Sequence, residues 1–296
     1  MKLATWNVNS LAVRLPQVLD WLATQAATGA PVDVLALQEL KMADDKFPAA
    51  AFAEAGYHAQ WFGQKTYNGV ALISRAAGSS VLKNIPDFDD EHARVIAATF
   101  DLPATATPAP SGQTVANPLD GAATSDSGNG VAAHAGIRVI GAYFPNGQAP
   151  GSDKFAYKMR WLQALRDWVQ QELATHPRLV LMGDYNITFD DADVWDPEGM
   201  REAIHCTTDE RTHLQALIDL GLHDSVRLFP QPEKNYSWWD YREFAFRRNR
   251  GLRIDHILVS NGLVPLARSC AVDKLPRKNE RPSDHAPVVL SLGSAA

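Results

Sequence analysis

Seven residues that could do chemistry share one setting in this chain. Asn7 ends KLATWN, Glu39 ends VLALQE and Tyr143 ends VIGAY. Asp184 and Asn186 close LVLMGDYN, Asp255 lies in RIDHILV, and His285 precedes PVVLSL. Each stands in or just past an apolar stretch of strand length. A carboxylate there loses hydration unless it is paired or bound to a cation. One such residue means little, but several at strand ends predict a shared polar rim where the strands converge. Asp284 and His285 fall between Pro282 and Pro287 in RPSDHAPV. Proline fixes its own φ and biases the preceding residue toward extended backbone. The pair is therefore expected on a stiff turn at a strand edge.

The residue types suggest particular roles. A lone Glu39 reads as a strand-end carboxylate facing water. Beside Asn7 and two or three aspartates it reads as a hard-oxygen metal site. Mg²⁺ suits such a site, because it takes one or two carboxylates and completes its shell with water and phosphate. No His/Cys cluster with zinc spacing is present. Asp184 and Asn186 are two apart, and on an extended segment they would share a side. One could orient or deprotonate a water while the other holds a phosphoryl oxygen; an Asx turn closing the strand is the plainer alternative. Asp255 and His285 could form a carboxylate–imidazole pair, with the imidazolium stabilising charge on a phosphoryl group. His256 is out of phase with Asp255 and is expected on the opposite face, and His223 is expected in a loop. The acidic run Asp190, Asp191, Asp193 and Asp196 fails as a calcium loop. Counted from Asp191, the turn glycine is replaced by Asp196 and Trp195 takes a ligand position.

The elements that must carry these residues are legible as periodicity. Eight segments rich in Val, Ile and Leu read as strands: KLATWNV, VDVLALQE, GVALISR, RVIAATF, IRVIGAYF, RLVLMGDYN, LRIDHILVS and PVVLSL. Apolar stripes at helical spacing predict helices over 14–25, 155–176 and 210–220, and their Trp and Leu residues are core faces. HAQWFG to GVALISR reads as a hairpin, as does RVIAATF to IRVIGAYF across an insert. This mixture predicts an α/β fold of two mixed sheets packed together with helices outside. Residues 101–136 are rich in Ala, Pro, Ser, Gly and Thr with no Lys or Arg. That composition cannot bury a core and predicts a disordered surface insertion at the end opposite the site.

Bulk composition narrows the function classes. The 296 residues are 46% hydrophobic and carry a formal net charge of −6, so the whole chain is no nucleic-acid-binding polycation. Charge is uneven, however. From Lys234 to Arg281 there are eleven Lys/Arg against five Asp/Glu, interleaved with Tyr236, Trp238, Trp239, Tyr241, Phe244 and Phe246. Such a stretch suits a phosphate backbone and unstacked bases, and equally a solvated face over core aromatics. Two cysteines, Cys206 and Cys270, make no disulfide framework. No signal-peptide or membrane-length apolar run occurs, so a cytoplasmic protein with no membrane partner is expected.

Taken together, ATWNVNSLAVRL, LALQELK, NGVALIS, YFPNG, GDYNI, YSWWDYR, NRGLRIDHILVS and RPSDHAPV resemble the exonuclease III class of apurinic/apyrimidinic endonucleases, within the endonuclease/exonuclease/phosphatase superfamily. The resemblance runs from Met1 to about 292, except for the insert. SDH occurs across the superfamily; SWWDYR followed by NRGLRID is more specific to the DNA-repair branch. The resemblance implies a four-layer α/β sandwich formed by one catalytic domain over 1–296. It implies Mg²⁺, with Mn²⁺ as the alternative, held by Glu39 with Asn7 and a set that includes Asp184, Asn186 and His285, with Asp284 supporting the metal or His285 from behind. Asp184 would activate the attacking water, Asn186 and His285 would bind the scissile phosphate, and Asp255 would orient His285. Tyr143 would contact the same phosphate or assist the leaving group. Trp238 would line the pocket for a flipped-out abasic sugar, and DNA would be gripped by Arg242, Arg247, Arg248, Arg250 and Asn146.

The expected activity is Mg²⁺-dependent cleavage of duplex DNA 5′ to abasic sites, with 3′→5′ trimming, by a monomer. Trp195 is either a surface or packing residue or, if it faces the pocket, a bulky group that favours a frayed 3′ end over an internal abasic site. The competing readings are a phosphatase or phosphodiesterase acting on small or lipid phosphoesters, and a non-catalytic DNA-binding module. The basic, aromatic stretch argues against the first, and the presence of every required polar position argues against the second.

Overall fold

Strands that are apolar at consecutive positions have both faces to bury, and a sheet covered on each side satisfies that demand. The computed structural model, which describes residues 1–101 and 136–293, has this arrangement twice. In chain order its elements are β1 (Lys2–Asn7), α1 (Leu11–Ala27), β2 (Val34–Gln38), α2 (Ala49–Glu54), β3 (His58–Phe62), β4 (Val70–Ser74), β5 (Ser79–Lys83), β6 (Val95–Phe100), β7 (Ile137–Tyr143), α3 (Asp153–Thr175), β8 (Leu179–Asp184), α4 (Thr208–Asp219), β9 (Leu222–Asp224), β10 (Asp255–Ser260), β11 (Ala267–Val272) and β12 (Val288–Leu292).

Two six-stranded sheets result, ordered β11-β12-β1-β2-β4-β3 and β5-β6-β7-β8-β10-β9. Parallel pairing occurs at β1–β2 and β7–β8. These are the places where a long helix, α1 or α3, returns the chain to the same end of the sheet, as a parallel crossover requires. The expected hairpins β3–β4 and β6–β7 both form. The sheets pack face to face over Leu3, Val34, Ala36, Leu72, Ile96, Val139, Met182, Ile257 and Leu290. The alternate residues of the same strands face outward. Ala4, Leu35 and Ile73 meet Trp21, Leu22 and Phe52 of α1 and α2. Ile140, Leu181 and Leu258 meet Trp161, Leu165 and Leu214 of α3 and α4. The order helix, sheet, sheet, helix is the expected four-layer sandwich of two mixed sheets.

Gly141 marks how closely the sheets approach. A Cβ there would lie 3.1 Å from Leu72 Cδ2 and 3.2 Å from the Ala36 Cβ of the facing sheet.

Helices α3 and α4 begin where their caps dictate. Ser152 accepts from the Phe155 amide at the start of α3. Thr207 and Glu210 form a reciprocal capping box at the start of α4; each such cap contributes about 1 kcal/mol. The six-residue α2 gave no sequence signal because it is too short for a periodic stripe and buries only Phe52. His223 lies in the short strand β9 and not in a loop. The proposed insertion 101–136 lies outside the described residues except for its ends. Those ends, Asp101 after β6 and Gly136 before β7, are at the far end of β7 from Tyr143. No described helix is long and apolar enough to cross a membrane.

Candidate active site

The polar rim is a consequence of strand register. Tyr143 pairs with Asp184 across the parallel β7–β8 ladder, and Asp184 pairs with Asp255 across the antiparallel β8–β10 ladder. Residues in register share a face, and Met182 and Ile257 place that face toward the facing sheet. Asn7 and Gln38 are partners on the opposite sheet at the same end. The inter-sheet core therefore gives way to polar groups at one end, with Asp184 and Asp255 fully buried there. Gly183 lets β8 run this close to β7, since a Cβ on it would strike the Ala142 carbonyl.

Asn7 joins the two sheets. Its Nδ2 donates to Glu39 Oε1 at 2.8 Å and to Asp184 Oδ2 at 2.9 Å. Its Oδ1 accepts from the Asn9 amide, so Asn7 ties both carboxylates to the start of α1. Glu39, Asp184 and His285 each offer a ligand atom, all within 4.8 Å of one another. Two carboxylates in that compass are a hard-oxygen donor set that suits a divalent cation. Asp284, expected to support the metal or His285 from behind, has both oxygens engaged: Oδ1 accepts from Asn9 and Oδ2 from Trp238 Nε1.

His285 is held from behind. Its Nδ1 lies 2.8 Å from Asp255 Oδ2 and its Nε2 3.8 Å from Asp184 Oδ2. Burial alone would depress the imidazole, but the Asp255 and Asp184 charges outweigh it and raise it to about 10. In its protonated form both ring nitrogens donate. Burial lifts Asp184 to about 7, against the pull of His285. The turn is tied to β1, because Ser283 Oγ donates to the Asn7 carbonyl and accepts from the His285 amide.

Asn186 reaches the same centre by a turn, not along an extended strand. Its φ is +51°, its amide N–H donates to Asp184 Oδ1 at 2.9 Å, and its Nδ2 donates to the Phe144 carbonyl at 3.1 Å. The Asx turn, not an extended strand, brings the Asn186 side-chain amide within 3.4 Å of Asp184 Oδ2. Asn146 Nδ2 donates to Asn186 Oδ1 at 3.3 Å. Tyr143 is raised well above the usual phenol range by burial and by the Glu39 charge beside it, so its hydroxyl stays protonated.

Two hollows flank this row. One, of about 430 Å³, is lined by Trp195, Met200, Trp238, Arg242, Arg250 and Leu252. Trp195 lines this hollow, with Arg250 stacked 4.9 Å over its ring. Arg242 is exposed and paired to Asp240, Arg247 lies over the exposed Phe244, and Arg248 is exposed. The other hollow, of about 700 Å³, is lined by Tyr67, Asn68, Arg94, Tyr143, Asn146 and Lys154. The acidic run before Trp195 holds arginines. Asp193 binds Arg253 and Arg227, and Asp224 forms an ion pair with Arg253 at 2.8 Å. His256 faces away from the site, its Nε2 2.8 Å from the Ile187 carbonyl.

Several residues of the centre were absent from the sequence reading. Lys41 pairs with Glu39 at 2.9 Å; its place two residues on in QELK was the available signal. His205 contacts the Asn186 carbonyl through Nδ1 at 2.6 Å and is depressed to about 4 by burial and the Lys158 charge. Arg94 stacks on Tyr143. Lys158 sits on a helix stripe otherwise apolar, and nothing in the spacing marks it. Asn9, Glu39, Lys41, Asn186 and His205 all have positive φ. Such conformations cost about 1–3 kcal/mol each and persist where the surroundings over-determine them.

The model of the Endonuclease/Exonuclease/phosphatase family matches residues 4–285. A 3′-5′ exonuclease from Neisseria meningitidis aligns at 45% identity and TM-score 0.84, covering 99% of this chain and 100% of that one. A Neisseria 3′ phosphatase solved with a product DNA hairpin aligns at 44% and 0.83 over the same shares. An AP endonuclease from Archaeoglobus fulgidus aligns at 30% and 0.83, covering 99% and 100%. Exodeoxyribonuclease III of Haemophilus influenzae is 32% identical over 97% of this chain and 98% of its own.

Proposed function

The chain belongs to the Endonuclease/Exonuclease/phosphatase family and is a DNA-repair nuclease, and from that premise we propose that it hydrolyses the phosphodiester at DNA 3′ ends, with incision 5′ to abasic sites as its second reaction. The carrying observation is the grouping of Glu39, Asp184 and His285 within one cation-sized space, backed by Asp255 on His285.

Asp184, poised near neutrality, accepts the proton of the attacking water. His285 donates Nε2–H to a phosphoryl oxygen, and Asp255 holds its ring and its charge. Asn186 and Asn146 present amides to the same phosphate. Tyr143, kept neutral, donates its hydroxyl toward the leaving oxygen. Glu39 and Asp184 would hold Mg²⁺ or Mn²⁺, which supplies neutralising charge on the phosphoryl group. Phosphoryl transfer asks mainly for such positioning and charge compensation.

The preference for 3′ ends rests on Trp195. Its ring lines the hollow beside Trp238, with Arg250 stacked upon it. It narrows the space an extruded internal sugar would enter and offers a surface on which a terminal base can stack. The 3′-5′ exonuclease and 3′ phosphatase at 45% and 44% identity support this order. The AP endonuclease at 30% supports abasic incision as the second reading; an abasic nucleotide loses little stacking on extrusion.

The test is 5′-labelled duplex DNA carrying one central abasic analogue, with Mg²⁺ or with chelator, resolved at single-nucleotide length. A Mg²⁺-dependent ladder from the 3′ end, outpacing the cut at the lesion, is the expected result. A dominant single band ending 5′ of the lesion would reverse the order of the two reactions. No Mg²⁺-dependent product would overturn the proposal.

A further inference from the structure

Helix α3 buries Phe155, Trp161, Leu162, Leu165, Trp168 and Val169, and in the same stripe it buries one ammonium group, Lys158, with no exposure at all. A buried charge is costly unless it is paired and fully hydrogen-bonded. Lys158 meets that condition with three acceptors for its three donors. Nζ donates to Glu210 Oε1 at 2.5 Å, to the Asn186 carbonyl at 2.8 Å and to the Asn146 carbonyl at 3.2 Å. A methionine would fill the volume without that cost, so packing alone does not account for the lysine.

We propose that Lys158 is a positioning residue of the hydrolysis: with Glu210 as its counter-charge, it locks the Asn146 and Asn186 peptides so that both side-chain amides face one phosphate. The inference rests on the assignment of those amides to the phosphate made above.

Two of the three Lys158 acceptors are main-chain carbonyls of residues whose side chains enter the site. Those side chains are bonded to each other, Asn146 Nδ2 to Asn186 Oδ1. Asn186 holds a left-handed backbone, which needs outside support. Its carbonyl receives that support from Lys158 Nζ and from His205 Nδ1.

The loop after Asn146 is shaped to the lysine. Gly147 has φ +88°, and a Cβ there would lie 2.9 Å from Lys158 Cδ. Glu210 is equally fixed, since its Oε2 accepts from both the amide and the hydroxyl of Thr207. The cap of α4, the stripe of α3, the loop after β7 and the turn after β8 thus meet at one ammonium.

Replacing Lys158 alone would strand Glu210 as a buried unpaired charge, and that protein is expected to fail to fold. The informative variant is Lys158→Met with Glu210→Gln, which removes both charges and keeps the cap acceptor. Its thermal midpoint is expected within a few degrees of the parent, and its KM for a 3′-recessed duplex within about twofold. Its kcat is expected to fall roughly 30- to 100-fold, the scale of a small misplacement of binding groups.

Asn186→Ala, made in both backgrounds, supplies the discriminating readout. If Lys158 acts through Asn186, the two losses overlap and the combined protein is little slower than the worse parent. Losses that multiply would overturn the proposal, as would an unchanged kcat in the charge-free variant. An Asn186→Ala protein with full kcat would instead sink the assignment of the amides, and the proposal with it.

Discussion

Asp184 and Asp255 stand directly opposite one another on antiparallel strands, and the imidazole of His285 lies between them, 2.8 Å from Asp255 and 3.8 Å from Asp184. The two carboxylates are chemically alike and differ in what they touch. Asp255 is turned to Nδ1 and away from the cation space, so it serves the histidine. Asp184 shares its oxygens among Asn7, Asn186 and that space, so it can serve water.

The pH dependence of kcat/KM follows from this pair. Asp184 is raised to about 7 and must lose its proton to act as base. His285 is raised to about 10 and must keep its proton to act as acid. The profile should rise through about 7 and fall through about 10. Bound cation favours the carboxylate form, so the lower limb should move to more acid pH as Mg²⁺ is increased. A lower limb indifferent to Mg²⁺ would contradict the assignment.

Asp184→Asn should lower kcat by roughly a thousandfold and leave the affinity for duplex DNA within a few fold, as read by gel shift in chelator. The same change should stabilise the metal-free protein at pH 8. The folded-state value of Asp184 lies above its ordinary value of 3.8. Its contribution to stability is therefore complete below that value and lost as pH rises through about 7. Melts at pH 8 should show a higher midpoint for the variant, and melts near pH 4 should show little of that gain.

Neutral replacements of Arg247, Arg248 and Arg250 should weaken DNA binding and flatten its salt dependence. Each phosphate contact contributes about 0.9 to the slope of log K against log salt, so removing three should reduce it by roughly 2 to 3. Fluorescence anisotropy over a range of KCl concentrations measures this directly. A slope equal to that of the parent would mean that the duplex lies elsewhere.

Trp195→Ala should shift the balance of products. Base–aromatic stacking is worth about 1–3 kcal/mol per base. Loss of the ring should raise KM for 3′ trimming about tenfold or more and leave abasic incision unchanged or faster. Parallel initial rates on a recessed duplex and on an abasic duplex give the ratio. A fall in both rates by the same factor would mark Trp195 as packing alone.

Much of this site is legible in the sequence. Asn7, Glu39, Tyr143, Asp184, Asp255 and His285 were legible because a polar residue closing an apolar strand is conspicuous against period-two burial. The hairpins and main helices were legible for the same reason, since hydrophobic period is a local property. The phase argument also held for His256, because side chains alternate strictly along a strand.

Other features belong to distances that no spacing encodes. That Asp184 faces Asp255 is a matter of ladder register between strands separated by some seventy positions. That Asp284 turns to Trp238 and Asn9, not to the cation space, depends on where the 235–250 loop docks. Lys158 shows the limit most clearly: in the sequence it is one cation on an amphipathic helix, where exposure is the ordinary outcome. Only the folded chain brings Glu210 and two loop carbonyls around it. Residue type and period determined which groups could act and which elements carry them. Tertiary packing decided which groups meet, because a buried charge finds its partners through contacts between elements and not along the chain.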